Sequence, residues 1–164
     1  MSLRDTIGDI IYELADNRGK IESSITNLSR PIVVHLIKIY LWRDTTYKNH
    51  WISELNGFLN SVPKLKGKNR YPKSKDLYRW LWTESRKENF SKTLYSVIDQ
   101  VDMGEGEFKD LKRPDGVDID KVKMFVEEYM MWISQELSVS GEIMLSEIRS
   151  KIDSLLKKHQ YRID

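Results

Sequence analysis

The chain has 164 residues, with 27 Lys+Arg against 25 Asp+Glu, a formal net charge of +2, 40% hydrophobic residues and no cysteine. That length fits one compact domain, and the apolar share is enough to close a core, which argues against wholesale disorder. Without cysteine, disulfide scaffolds, thiolate catalysis and Cys-based zinc sites are excluded; His35, His50 and His159 are widely spaced, so no metal and no cofactor are expected.

The opening MSLRDTIGDI carries Arg4, Asp5 and Asp9 and lacks the apolar run of a signal peptide, so a cytoplasmic location is expected. Leu3, Ile7, Ile10, Ile11 and Leu14 then fall at helical spacing, and Asn17-Arg18-Gly19 reads as a stop. A second apolar stripe, Ile21, Ile25, Leu28, Ile32, Leu36 and Ile39, keeps one face oily across Pro31, which predicts either two helices or one kinked helix. Past Pro31 the residues Val33, Val34, Ile37, Tyr40 and Leu41 fill the other sides, so this part belongs at the centre. Pro31 to Trp42 is about 12 residues long, against the ~20 needed to cross a bilayer, and no membrane partner is expected.

Arg43 to Asn49 is a polar connection, and Trp51, Ile52, Leu55, Phe58 and Leu59 form the next helix, ending before Pro63. Val62 to Ser74 is a loop. Asp76 to Val101 returns to helix with a break over the polar stretch Thr83 to Asn89, and Asp102 to Val117, rich in Gly and charge, reads as a linker. Asp118 starts a helix with Ile119, Val122, Val126, Tyr129, Met130, Ile133 and Leu137 inward; Ser138 to Gly141 separates it from a last helix striped by Leu145, Ile148, Ile152 and Leu155. No segment alternates with period two. The expected fold is all-α, with five to seven helices: a bundle over residues 1–101, a linker over 102–117, and a helical hairpin over 118–164. The hairpin is expected either to pack on the bundle or to be exchanged with a second copy in a homodimer. Met124, Met130, Met131 and Met144, with Trp132, recur at helical spacing and read as core.

Charge is the least uniform feature. Between Lys64 and Lys92 there are ten basic residues against three acids, Asp76, Glu84 and Glu88. Phosphate recognition needs such a surplus, because each cation that neutralises a phosphate releases condensed counter-ions. Tyr71, Tyr78 and Trp82 are interleaved and offer stacking faces. Lys64, Lys66, Lys68, Arg70, Lys75, Arg79, Trp82 and Arg86 are therefore the candidate anion-binding residues. The expected partner is nucleic acid or an acidic protein, captured by a binding module rather than an enzyme.

Arg30 and His35 make an Arg-x4-His spacing that resembles the motif of HEPN-type helical ribonucleases. The resemblance implies a catalytic alternative across a dimer interface, in which Arg30 stabilises phosphate charge and His35 transfers a proton. Other chemistry-bearing patterns are weak. Met103-Gly104-Glu105-Gly106-Glu107 lacks the Lys-Ser/Thr of a phosphate loop and reads as a turn, and Asp115, Asp118 and Asp120 do not match calcium-loop spacing.

Val33-Val34-His35-Leu36-Ile37-Lys38-Ile39-Tyr40, followed by Trp51-Ile52-Ser53-Glu54-Leu55, resembles the helical bacterial family catalogued as domain of unknown function twenty-nine. That family's proline after the first helix is missing here and one residue is inserted. The resemblance covers about a quarter of the chain. It implies an all-helical fold and assigns no chemistry.

Overall fold

The structure is a computed structural model that describes the backbone of residues 3–65 and 71–160 and the side chains of 18–65 and 71–160. Among the described residues it is all-α, with no strand. The helices run α1 Leu3–Leu41, α2 Tyr47–Asn60, α3 Ser74–Leu81, α4 Glu84–Glu88, α5 Phe90–Met103, α6 Ile119–Ser140 and α7 Leu145–Lys158, with a 3-10 turn over Gly106–Asp110.

The first two expected helices are one. α1 runs unbroken for 39 residues through both Gly19 and Pro31. A glycine ends a helix by taking a left-handed φ, and among the described glycines only Gly104, Gly106 and Gly141 do so. Gly19 stays helical because the stripe that begins at Ile21 and Ile25 continues to Leu36 and Ile39, each at most 5% exposed. α1 is the central rod. It packs against α2, α3, α5 and α6, while α3 also lies on α6, and α7 on α2 and α6.

Local signals explain the other boundaries. Thr83 caps α4 by accepting from Arg86 N at 3.1 Å, and Asp118 caps α6 by accepting from Lys121 N at 3.3 Å. Gly104 (φ 62°) and Gly141 (φ 72°) close α5 and α6 in the left-handed region. Trp51, Trp82, Phe90, Phe125 and Tyr129 are fully enclosed and form, with the aliphatic residues of α1 and α6, one continuous core. The methionines divide: Met130 on α6 is buried, as its spacing implies, but Met124 and Met131 on α6 and Met144 just before α7 are exposed and do not join the core.

Residues 102–117 lie as a strap across the α1–α2 end of the bundle. Leu111 is buried, Trp42 Nε1 donates to Lys112 O at 2.8 Å, and Tyr47 Oη donates to Asp110 at 3.0 Å. Glu107 reaches inward to Lys38 at 2.8 Å and accepts from Trp51 Nε1 at 3.0 Å. The Lys38 ammonium also faces the rings of Trp51 and Phe108, 5.4 and 5.7 Å from their centroids. At the same end of α1, Tyr40 Oη donates to His159 O and Arg43 Nη1 to Leu156 O, both at 2.8 Å, which satisfies carbonyls that the end of α7 leaves open. Among the described residues, no helix is long and apolar enough to cross a membrane.

Candidate anion-binding surface

α1 and α3 run side by side. Arg18 Nη2 meets Asp76 Oδ2 at 3.1 Å at one end of the seam, and Ser29 Oγ donates to Leu81 O at 2.5 Å at the other. The basic residues of α3 and α4 therefore gain cations from α1 that charge counting within residues 64–92 does not include.

The predicted residues separate into distinct environments. Lys66, Lys68 and Arg70 lie outside the described residues. Lys64 and Lys75 are exposed, and Lys64 Nζ stands 5.4 Å from the centroid of the Tyr71 ring. Arg79 is exposed and shares Asp76 with Arg18, each at 3.1 Å; both guanidiniums lie against Trp80, 5.9 and 5.8 Å from its ring. An open hollow of about 450 Å³ beside them is walled by Arg18, Tyr71, Lys73, Asp76 and Trp80.

Trp82 is not a stacking platform. It is 1% exposed, packs edge-on against Phe90, and donates Nε1–H to Glu127 at 3.1 Å. The large apolar ring at a helix end is taken into the core, and its one polar atom finds a half-buried carboxylate partner, as buried tryptophans need. The accessible aromatic faces belong instead to Tyr71 and Tyr78, both half-buried. Lys87 Nζ lies 5.2 Å from the Tyr78 ring and 3.6 Å from Glu84. Burial, followed by the charges of Glu127 and Glu84, pushes the Tyr78 phenol above its ordinary range; burial and Glu142 do the same to Tyr71.

Arg86 is half-buried, and its Nε is enclosed without a hydrogen-bond partner. Burial, and then the like charge of Arg30, lowers its guanidinium from the ordinary value.

Arg30 and His35 are not brought together. Five residues on a helix place two side chains about 140° apart: Arg30 is exposed, whereas His35 is 7% exposed on the inner side. The imidazole donates Nδ1–H to Pro31 O at 2.7 Å, sets Nε2 2.6 Å from Glu54 Oε2, and meets the edge of Phe58 at 4.9 Å. Glu54 also pairs with His50 one turn before it on α2. This cluster fastens α1 to α2. Among the described residues, no group of three or more His, Asp or Glu side chains is placed to hold a metal ion.

Sequence reading missed Arg18, taken as part of a stop, and Glu107, taken as a turn acid. The first had a signal, since Arg18 stands twelve residues before Arg30 on a rod whose stripe does not stop. The second had none, because Lys38 lies 69 residues away. In comparisons with known proteins, no family model, no curated protein and no solved structure matches this chain.

Proposed function

We propose that this protein is a small helical binding module that captures nucleic acid through the surface formed by α3, α4 and the adjoining face of α1. One observation carries the reading: over residues 64–92 the cations outnumber the acids, Asp76 and Glu84 are taken up by Arg18, Arg79 and Lys87, and Lys64, Lys73, Lys75, Arg86 and Lys92 are left with no carboxylate partner among the described residues. Unpaired cations keep their full field and attract a phosphate backbone from a distance. Tyr71 and Tyr78 supply ring faces once Lys64 and Lys87 turn toward phosphates, and bases stack on such faces with little sequence preference. The partner class is thus single-stranded nucleic acid first and an acidic protein second.

Fluorescence anisotropy with short single- and double-stranded oligonucleotides over a salt series tests this. The logarithm of affinity should fall linearly with the logarithm of salt, and the pair Lys64→Glu and Lys75→Glu should weaken binding by about tenfold or more. Undetectable binding at low salt, or binding indifferent to charge reversal, overturns the reading.

A second reading, self-association, is favoured by the outer face of α6, where Met124, Met131 and Val139 are 52%, 47% and 85% exposed. Sedimentation of the full chain and of Met124→Glu/Met131→Glu tests it: a dimer that the variant abolishes supports this reading, and a monomer at high concentration removes it.

A further inference from the structure

One carboxylate holds two arginines from different helices. Asp76, in the first turn of α3, has its side chain 19% exposed; Oδ2 accepts from Arg18 Nη2 and Oδ1 from Arg79 Nη2. The Arg18 side chain is 59% exposed, and its guanidinium lies 5.8 Å from the ring of Trp80, which is itself buried. A guanidinium carries five N–H donors. Arg18 makes one hydrogen bond among the described residues, the one to Asp76, so its remaining donors are open to a ligand. Fixed by a carboxylate and a ring, the side chain has already given up much of the rotamer freedom that a free surface arginine loses on binding. Arg18, Asp76 and Trp80 also wall the open hollow of about 450 Å³, together with Tyr71, Lys73 and Ser138. That volume is in the range of small-molecule sites, about 300–1,000 Å³.

We infer that this hollow is a guanine site, in which Arg18 reads the base and Asp76 is the residue that positions Arg18. The inference rests on the nucleic-acid reading and gives that surface a base preference. A carboxylate 3.1 Å from the guanidinium cancels much of its field and repels a phosphate, but it does not repel the edge of a neutral base. Both Asp76 oxygens already accept from arginine, so what the pair offers to a base is donors. Guanine answers with two adjacent acceptors, O6 and N7, which an arginine fork meets together. Adenine sets an amine beside its N7, donor against donor. Cytosine has an acceptor pair but a smaller ring to lay against Tyr71. Lys73, on the same wall and without a carboxylate partner among the described residues, is left for the phosphate of that nucleotide.

The test uses the full chain and thymine strands that differ only at one central base: guanine, 7-deazaguanine, adenine, cytosine or thymine, at one salt concentration. The guanine strand should bind about tenfold more tightly than the others, and 7-deazaguanine, which lacks only the N7 acceptor, should lose most of that gain. Arg18→Lys keeps the charge and removes the fork, and should bring the guanine-to-thymine affinity ratio to about one. Asp76→Asn separates positioning from charge. Loss of an acid strengthens attraction for every strand and leaves the ratio where it was, whereas loss of a positioning residue lowers the ratio. Equal affinity for all strands overturns the guanine site and leaves the binding module standing. A preference that persists with 7-deazaguanine or in Arg18→Lys, or a ratio unchanged in Asp76→Asn, overturns the site as well. If no strand binds, guanosine and adenosine monophosphates are titrated against the arginine side-chain Nε–H signals of the isotope-labelled chain. A saturable shift at Arg18 with the guanosine compound alone then supports the site and removes the nucleic-acid reading, and an equal response or none overturns both.

Discussion

Lys38 Nζ and Glu107 Oε1 stand 2.8 Å apart, joining the inner end of α1 to a turn 69 residues further along the chain. The lysine side chain is 8% exposed and the glutamate 24%, so the ammonium is the more desolvated member. Removing the carboxylate leaves a nearly enclosed cation with only ring faces for company. Glu107→Ala is expected to lower unfolding free energy by about 2 kcal/mol, and Lys38→Met in the same background to recover part of the loss. Urea denaturation reads both; an unchanged midpoint in Glu107→Ala would show that the strap is held by its apolar contacts alone.

The same pair sets an acid limit. Burial by itself would raise the Glu107 carboxyl, but hydrogen bonds from Lys38 and Trp51, with the charges of Lys38 and His35, outweigh it and hold the group below its ordinary 4.5. Glu128 is likewise held down, against burial, by Lys158 and His159. A carboxyl lowered in the folded state is protonated first in the unfolded one. Its stabilisation is complete above the unfolded value and is lost as pH falls from about 4.5 through the folded value. Urea midpoints measured from pH 7 downward should stay level and then drop below about pH 4.5, and Glu107→Gln should flatten part of that drop.

Tyr129 lies wholly enclosed on α6, and its hydroxyl has no hydrogen-bond partner. Burial drives the phenol far above its ordinary range, so the hydroxyl stays neutral and contributes only a desolvation cost. Tyr129→Phe should stabilise the protein by about 1 kcal/mol, seen as a higher melting temperature; a fall of that size would reveal a partner for the hydroxyl.

Two glycines should respond in opposite directions to alanine. Gly19 is exposed within α1, and a Cβ built on it meets nothing within 4 Å. Gly19→Ala should therefore stabilise by about 1 kcal/mol through helix propensity alone. Gly104 also has open space, but its φ of 62° ends α5 in the left-handed region. Gly104→Ala should cost about 1 kcal/mol. Thermal melts of the two variants check the contrast.

Elements whose cause is local were legible in the sequence. Asp118 before an apolar stripe announces α6, Gly141 announces its end, and the polar run from Thr83 to Asn89 contains the Thr83 cap and the short α4. Gly19 misled because a stop signal acts through φ, and packing along the Ile21–Ile39 stripe kept that φ helical. Arg18 and Arg79 could be expected only as charges, since their common partner Asp76 is fixed by how α1 lies along α3. The fate of Trp82 depended on Glu127, 45 residues away, and that of Glu107 on Lys38; no periodicity carries such pairings. The surplus of cations was legible as a count.

The long first helix also dictates a timetable for synthesis. Its inner face is covered by α2 and α3 early, but Tyr40 and Arg43 find their acceptors on His159 and Leu156, 119 and 113 positions later. A polypeptide emerging from the ribosome therefore holds a greasy, half-wrapped cylinder until α5 and α6 have followed. α7 then closes the end of the rod at Tyr40 and Arg43, so a chain cut before α7 leaves the faces of α2 and α6 that it covers bare and sticks to itself or is handed to chaperones.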